Sequence, residues 1–465
     1  MNDCWADQRD RCTKPYVFSF ITLRQERFGG LLFNPYIGLE TNLDPIEAYI
    51  AAMCNGQNTC QQVEEAVQQR FGLSFQNTER CLAVTTDKLM RSSALAFRDG
   101  RRADRPSLPD APVFAADGPY LSAPKTVIWD VTYACNLHCA HCLTSSGRAW
   151  ANELTTQQAL SLVDMLADAK VLYLSLSGGE PFLRHDVLTL LQHIAKTNMR
   201  VEIVTNGVLI PDSVWEALPE LPIFQIQVSI DGIDEQHDQF RGRPGAFDAT
   251  CLTVERLRAH EIAVSASTTV TAANVGDLDQ IIDLALALGC RGFKAIPFMA
   301  AGRGRENSSR LRLNSDQRRL FAQTMVRRHK ELQGRMNVLA ETCFAFLLEP
   351  PPATAYANGP MGCAAGYDTL SVGADGTAYP CPFLHDFPLG NLMEHSLEAL
   401  WFQAPVLRTL RTLQKQDLGE PCNSCPYAPL KCRGGCRAAA FLESGDLYAG
   451  DTTCFGATQV LSIES

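Results

Sequence analysis

The stretch DVTYACNLHCAHCLTSSG, residues 130–147, sets Cys135, Cys139 and Cys142 in a Cys-x3-Cys-x2-Cys run just after the apolar segment TVIWDVTY, 126–133. Soft thiolate ligands select zinc or iron–sulfur clusters. Structural zinc is normally closed by four ligands. Three thiols on one turn, followed by an apolar loop, instead fit a [4Fe–4S] cube with three irons held by protein. The fourth iron is then open to an exchangeable ligand.

From residue 126 onward the pattern alternates strand and helix. TVIWDVTY, VLYLSLS, RVEIVTN, FQIQVSI, IAVSASTTV and RGFKAIPF read as strands. TTQQALSLVDMLADA, DVLTLLQHIAK, TCLTVERLRAH and DLDQIIDLALALG read as amphipathic helices between them. Six β/α units imply an α/β fold with a parallel sheet and helices outside it. Six is fewer than a closed eight-fold barrel requires, so residues 125–305 are expected to form a partial (β/α)6 barrel with a lateral opening suited to a long substrate.

Functional residues in such barrels gather at the C-terminal ends of the strands. The first strand leads into the three cysteines. The second leads to Ser177-Gly178-Gly179-Glu180-Pro181, two glycines that permit close approach of a ligand beside a carboxylate. The third leads to Thr205-Asn206-Gly207, and the fourth to Ser229-Ile230-Asp231-Gly232, with Arg241 beyond it. The sixth ends at Ile296-Pro297 and continues to Gly302-Arg303-Gly304. Singly, each of these is an ordinary turn or cap. In this order, each after its strand, they resemble the radical S-adenosylmethionine (SAM) enzymes.

That resemblance implies SAM bound to the open iron of a [4Fe–4S] cluster and cleaved after a one-electron reduction. It places Gly178, Gly179 and Glu180 at the methionyl part, with Asn206 nearby. It places Ser229, Asp231 and Arg241 near the ribose and carboxylate, and Ile296 on the adenine. His141 falls where the family usually has an aromatic residue; an ordinary loop histidine is the alternative.

The chain has 18 cysteines, and a second group lies near its C-terminus. It reads Cys363-x12-Gly376-x4-Cys381, then Cys422-x2-Cys425-x6-Cys432-x3-Cys436, then Cys454. This resembles the SPASM extension of peptide- and protein-modifying radical SAM enzymes, with the Cys425–Cys432 interval one residue longer than usual. The resemblance implies two auxiliary iron–sulfur clusters. Cys422, Cys425, Cys432 and Cys454 would bind one; Cys363, Cys381 and Cys436 would bind the other. Cys343 is a candidate fourth ligand of the latter, with a buried free thiol as the alternative. Cys4, Cys12, Cys54, Cys60, Cys81, Cys251 and Cys290 lack ligand spacing and read as packing residues.

The expected organisation is a module at 15–98, a Pro-, Ala-, Asp- and Arg-rich linker at 99–124, the barrel, a helical bridge at 306–355 and a Cys-rich SPASM domain at 356–460. In the module, YVFSFITL and LLFNPYIGLET read as a hairpin or small sheet. A helix follows from the Asp44 cap with Pro45, burying Ile46, Ile50 and Met53. A second begins at Thr59, with Val63, Val67 and Phe71 on one face. Together these look like a winged-helix-like module.

A net charge of −10 and no basic stripe argue against nucleic acid as a partner. Neither a signal peptide nor a stretch of about 20 apolar residues is found. Many cysteines without a signal suggest metal ligands in a cytoplasmic protein. TYACNLHCAHCLTSSG, ALWFQAPVLRTLR and CRGGCRAAAF are similar to the mycofactocin maturases. The N-terminal module looks like the PqqD-like recognition element of such pathways, here fused. The resemblance implies a short ribosomal precursor peptide as substrate, with a flavodoxin or ferredoxin as electron donor. The implied chemistry is oxidative decarboxylation, C–C crosslinking or thioether formation. Alternatives are a tetrapyrrole side-chain decarboxylase, a sulfatase-type maturase, or a non-catalytic iron–sulfur sensor.

Overall fold

Capping residues fix where the N-terminal helices begin. In the computed structural model, which describes residues 13–98, 120–341, 344–348, 364–429 and 431–454, helix α1 (Pro45–Met53) starts from a reciprocal box. Asp44 accepts from the Glu47 amide, and Glu47 accepts from the Asp44 amide, both at 2.8 Å. Helix α2 (Cys60–Phe71) starts from the matching Thr59–Gln62 box and stops at Gly72, φ 63°. Ile50, Val63 and Val67 are buried as expected, whereas Ile46, Met53 and Phe71 are half-buried. A third helix, α3 (Phe75–Arg91), goes beyond the expected pair. Threonines conceal its apolar face: Thr78, Thr85 and Thr86 are buried beside Leu82 and Leu89. Thr78 and Thr85 hide their hydroxyls on the Ser74 and Cys81 carbonyls.

The module's strands are β1 (Lys14–Val17), β2 (Thr22–Glu26), β3 (Gly29–Asn34), β4 (Leu39–Leu43) and β5 (Leu95–Arg98). The expected hairpin or small sheet is therefore present as two sheets. β1 pairs with β5, and β2–β3–β4 form an antiparallel meander. The run YVFSFITL straddles two strands; LLFNPYIGLET turns back on itself at Pro35–Gly38.

The six expected barrel strands are present as β6 (Thr126–Thr132), β7 (Tyr173–Gly178), β8 (Arg200–Thr205), β9 (Ile223–Ser229), β10 (Val264–Val270) and β11 (Gly292–Pro297), paired in parallel. The sheet extends past both ends of this set. β12 (Asn337–Ala340) adds a parallel strand beside β11, inside the region read as a helical bridge. A four-residue strand is too short to show a period. On the other side β13 (Thr369–Val372) pairs in parallel with β6, and β14 (Thr377–Tyr379) and β15 (Gly390–Asn391) follow antiparallel. The Cys-rich region is thus stitched to the barrel through one ten-stranded sheet.

Alternate strand residues divide the two faces. Trp129, Leu174, Leu176, Ile203 and Val228 pack outward with Leu162, Val163, Leu190, Val254 and Ile281 of the covering helices. Asp130, Ser177, Gln227 and Ser267 instead line the interior. A closed barrel of this class fills its interior with branched apolar side chains; a polar interior leaves room for ligands.

A buried ion pair fastens the module to the barrel. Arg24 Nε lies 2.7 Å from Glu26 Oε1, with both side chains almost fully buried. Arg24 Nη1 donates to the Pro124 and Lys170 carbonyls at 3.1 Å, and Glu26 Oε2 accepts from the Ser122 amide at 2.8 Å. Beside it Leu31 and Phe33 pack on Leu172. Removing one partner of such a pair leaves the other charged and buried, which costs about 3–5 kcal/mol. Arg24→Ala is therefore expected to loosen the module and expose residues 120–124 to protease, read by limited proteolysis and chemical denaturation. Wild-type behaviour in both would contradict this latch.

Candidate active site

The cysteine loop is held by elements distant in sequence. The His138 and Ala140 amides donate to the Arg241 and Phe240 carbonyls at 3.1 and 3.0 Å. Arg303 donates to the Cys139 and Ser146 carbonyls at 3.1 and 2.7 Å, and Asn307 to the Ala140 carbonyl at 3.0 Å. Gly302 sits under the loop with φ 49°; a Cβ there would lie 2.1 Å from the Leu143 carbonyl oxygen. The Gly302-Arg303-Gly304 signal is visible in the sequence, but its role as a clamp is not.

Cys135, Cys139 and Cys142 line one cavity of about 250 Å³ at the C-terminal ends of the strands. Gly178, Gly179, Asn206, Ser229, Asp231, Arg241, Ile296 and His141 line it too. Pro382 and Phe383 of the Cys-rich region complete its wall. At the N-terminal ends of the strands lies a larger cleft of about 1190 Å³, bordered by Tyr36 of the module, Glu202, Lys294 and Phe346. Gln227 borders both spaces.

Each sulfur of the triad has a donor directed at it. The Ser146 amide reaches Cys142 Sγ at 3.3 Å, Arg241 Nη1 reaches Cys139 Sγ at 3.7 Å, and Asn206 Nδ2 lies 4.0 Å from Cys135 Sγ. Burial pushes the Cys135 thiol up to about 11 and also raises Cys139, where Arg241 opposes it. Such thiols keep their protons near neutral pH, and metal binding displaces them. Donors aimed at buried sulfurs fit thiolates bound to iron and tune a cluster there. Among the described residues, no three His, Cys, Asp or Glu side chains converge on a single ion. A cube takes one protein ligand per iron, so its ligands need not converge. The donor set fits an iron–sulfur cluster.

Arg241 links the cluster loop to the next strand. Its Nη2 lies 2.5 Å from Asp231 Oδ2, and Asp231 Oδ1 accepts from the Thr269 amide at 2.7 Å. Burial would pull the guanidinium down, but Asp231 and the Cys139 thiol hold it above its ordinary value. Asp231 is fully buried, so its charge is spent on Arg241. His141 stacks on Phe240 at 4.5 Å and 12°. Burial pushes its imidazole down to about 4, so it is a neutral flat ring near pH 7.

Glu180 does not line the cavity. Its Oε1 accepts from Thr205 Oγ1 at 2.8 Å and the Phe182 amide at 3.2 Å, and its Oε2 from the Asn206 amide at 2.8 Å. Burial raises it to about 7 against these donors. In this structure Glu180 braces the Thr205–Asn206 turn. The glycines before it allow the close approach: a Cβ on Gly179 would lie 2.2 Å from the Ala134 carbonyl oxygen, and Gly178 has φ 124°.

In the second group, burial raises the Cys422 thiol, and pushes Cys432 up to about 12. Both also feel Cys454 and Asp451, so Cys422, Cys432 and Cys454 lie together. The Asp451 amide reaches Cys422 Sγ at 3.5 Å, and the Ala439 amide reaches Cys436 Sγ at 3.4 Å. Cys425 and Cys381 are half-buried against the same core. Cys343 and Cys363 lie outside the described residues, as do Cys4 and Cys12.

The sequence profile described as the radical SAM superfamily matches residues 129–285, and that of an iron–sulfur cluster-binding (SPASM) domain matches 363–426. The chain is 33% identical over 339 residues to the mycofactocin maturase MftC of Mycobacterium tuberculosis, covering 72% of this chain and 83% of that protein. The chain belongs to the radical SAM superfamily. It is also 31% identical over 348 residues to an AdoMet-dependent heme synthase of Methanosarcina barkeri, covering 72% of this chain and 97% of that protein. The structure of Streptococcus suis SuiB bound to precursor peptide SuiA shares the fold, with a TM-score of 0.72 at 19% identity over 95% of this chain and 99% of SuiB. Membership brings SAM and [4Fe–4S] clusters as cofactors.

Two substitutions test this radical SAM site. Gly179→Ala drives a methyl into the Ala134 carbonyl, and at least a tenfold loss of SAM affinity is expected, about 1.4 kcal/mol, measured by calorimetry on reconstituted protein. Arg241→Met leaves Asp231 buried and unpaired, and a loss of about 3–5 kcal/mol is expected. Denaturation curves unchanged from wild type would show that Asp231 is balanced by another group.

Proposed function

We propose that this protein is a maturase of a short ribosomally made precursor peptide, working by radical SAM chemistry. The observation that carries the reading is the module at residues 13–98 latched to the barrel beside the larger cleft. The SuiB fold matches this chain over 95% of its length and was determined with a precursor peptide bound. The resemblance to a heme synthase favours a second reading, decarboxylation of a tetrapyrrole side chain. That protein is matched over 97% of its length and, like the mycofactocin maturase, covers 72% of this chain, so that a share about the size of residues 1–124 is left over. A tetrapyrrole has no leader and gives such a module no task.

The module is proposed to be PqqD-like and to take the leader by strand addition. β2 is committed to the barrel through Arg24 and Glu26. β4 is also tied to the barrel, by Glu40 and Lys125 at 3.2 Å, but it is paired on one side only within its sheet and carries the exposed Leu39, and its edge is the one proposed for the leader.

When bound, the cluster and SAM supply a carbon radical that removes a hydrogen atom from an unactivated C–H bond. Cys135, Cys139 and Cys142 would hold three irons, and the backbone of Gly178 and Gly179 would take the methionyl part. Glu180 fixes that turn from behind and presents Asn206. Ser229, Asp231 and Arg241 would serve the ribose and carboxylate; Ile296 would give apolar contact and His141 a neutral flat ring. Pro382 and Phe383 exclude water from the wall facing the Cys-rich domain. Cys422, Cys425, Cys432 and Cys454 are proposed to hold one auxiliary cluster, and Cys363, Cys381 and Cys436 the other, with Cys343 as its remaining ligand. A flavodoxin or ferredoxin is the proposed electron source, in the cytoplasm.

The test is mass measurement of a precursor peptide, encoded beside this gene, after anaerobic incubation with reduced enzyme and SAM. Loss of two hydrogens marks a crosslink; loss of CO2 with two hydrogens marks oxidative decarboxylation. Removing the leader segment is expected to lower kcat/KM at least tenfold, about 1.4 kcal/mol. An unchanged peptide mass, with a tetrapyrrole decarboxylated instead, would replace this reading by the second.

A further inference from the structure

One carboxylate in the cavity remains without a task. Asp130 lies on β6 opposite Ser177 of β7 and is 4% exposed. Its side chain borders the same cavity as the three cysteines, and its Oδ2 is buried without a hydrogen-bond partner. Asp231, the other cavity carboxylate, is neutralised by Arg241; among the described residues no cation is paired with Asp130. An uncompensated buried carboxylate is expensive, and such groups cluster where chemistry uses them.

It sits on the β6–β7 side of the cavity, beside Gly178, where a Cβ would lie 3.3 Å from the Asp130 Cα. Ser229, Asp231, Arg241 and Ile296 belong to the β9–β11 side of the cavity, whereas Asp130 is on the first strand. It stands next to β13, where the wall is completed by Pro382 and Phe383. The titratable groups facing it are Tyr133 after β6 and Tyr379 on β14, both of which feel its charge, with Asp375 beyond them. Ser177 is the neighbour on β7.

We propose that Asp130 accepts the proton that the substrate loses in the oxidation. This rests on the peptide-maturase reading. Joining a carbon to a neighbouring atom X with loss of two hydrogens breaks one C–H and one X–H bond and forms one C–X bond. The first hydrogen leaves as an atom, taken by the radical. The second would leave as a proton to the Asp130 carboxylate, and an auxiliary iron–sulfur cluster would be the acceptor of the electron left behind. Burial pushes the Asp130 carboxyl up to about 7, which suits a group that must take a proton near neutral pH.

The experiment compares reconstituted wild type with Asp130→Asn and Asp130→Glu. The Asn variant keeps shape but cannot accept the proton. Crosslinked peptide per 5′-deoxyadenosine is expected to fall at least about 100-fold, with iron content and SAM affinity within about twofold of wild type, and Glu is expected to recover part of the ratio. In wild type the ratio rises as pH passes through about 7; in the Asn variant it does not. A wild-type ratio in Asp130→Asn overturns the proposal, and so does loss of iron or SAM binding, which would make Asp130 structural.

A second arm needs no peptide. A raised carboxyl penalises the folded state progressively from its unfolded value, about 3.9, to about 7, and fully above that. The melting temperature of Asp130→Asn holoprotein should therefore exceed that of wild type by a margin that grows over this window and then levels. A margin independent of pH overturns the proposal. This arm stands even if no precursor peptide is modified, so the two readings fail separately.

Discussion

The arrangement that the rest of the site depends on is a chain of charge running from Cys139 through Arg241 to Asp231. A buried cysteine sulfur that must become a thiolate on metal binding, a buried guanidinium and a buried carboxylate would each be costly alone. In sequence they lie in the cluster loop, at the end of a helix and after β9. In space Arg241 donates to both neighbours, and its backbone carbonyl holds the His138 amide. One residue thereby sets the height of the cysteine loop over the barrel and the electrostatics of one ligand. Arg303 and Asn307 hold the loop from the other side. The loop can be short and glycine-poor because its carbonyls are satisfied by side chains that come from beyond β11.

How much of this is legible in the sequence depends on range. The cysteine spacings, the helix caps at Asp44 and Thr59 and the six barrel strands are local patterns, and local patterns can be read from one chain. Helix α3 escapes such a reading because threonines occupy its buried face, and a hydroxyl satisfied by its own helix packs as an apolar group. β12 escapes it because four residues show no alternation. The contiguity of the barrel with the Cys-rich region could not be read at all, since the pairing of β13 with β6 joins segments more than 200 residues apart.

The same distinction holds within the site. That Gly178 and Gly179 must lie against backbone follows from their type; the structure sets the Thr132 carbonyl against the first and the Ala134 carbonyl against the second. That Glu180 faces away from the cavity does not follow from its type; Thr205 and Asn206 decide it. Asp130 carries its own signal, a charged residue in the middle of the apolar run VIWDV. Such a residue inside a strand must be paired, exposed or used. Here it borders the cavity, and the polar interior of the barrel is the setting that makes room for it.

Electron paramagnetic resonance of the reduced, anaerobically reconstituted protein tests the central claim most directly, because it sees the open iron itself. The account predicts a [4Fe–4S] signal that changes when SAM is added, and a SAM-dependent change that disappears when Cys135, Cys139 and Cys142 are replaced by alanine. A protein that holds zinc at these thiols, or a reduced spectrum indifferent to SAM while all three thiols are intact, would contradict it.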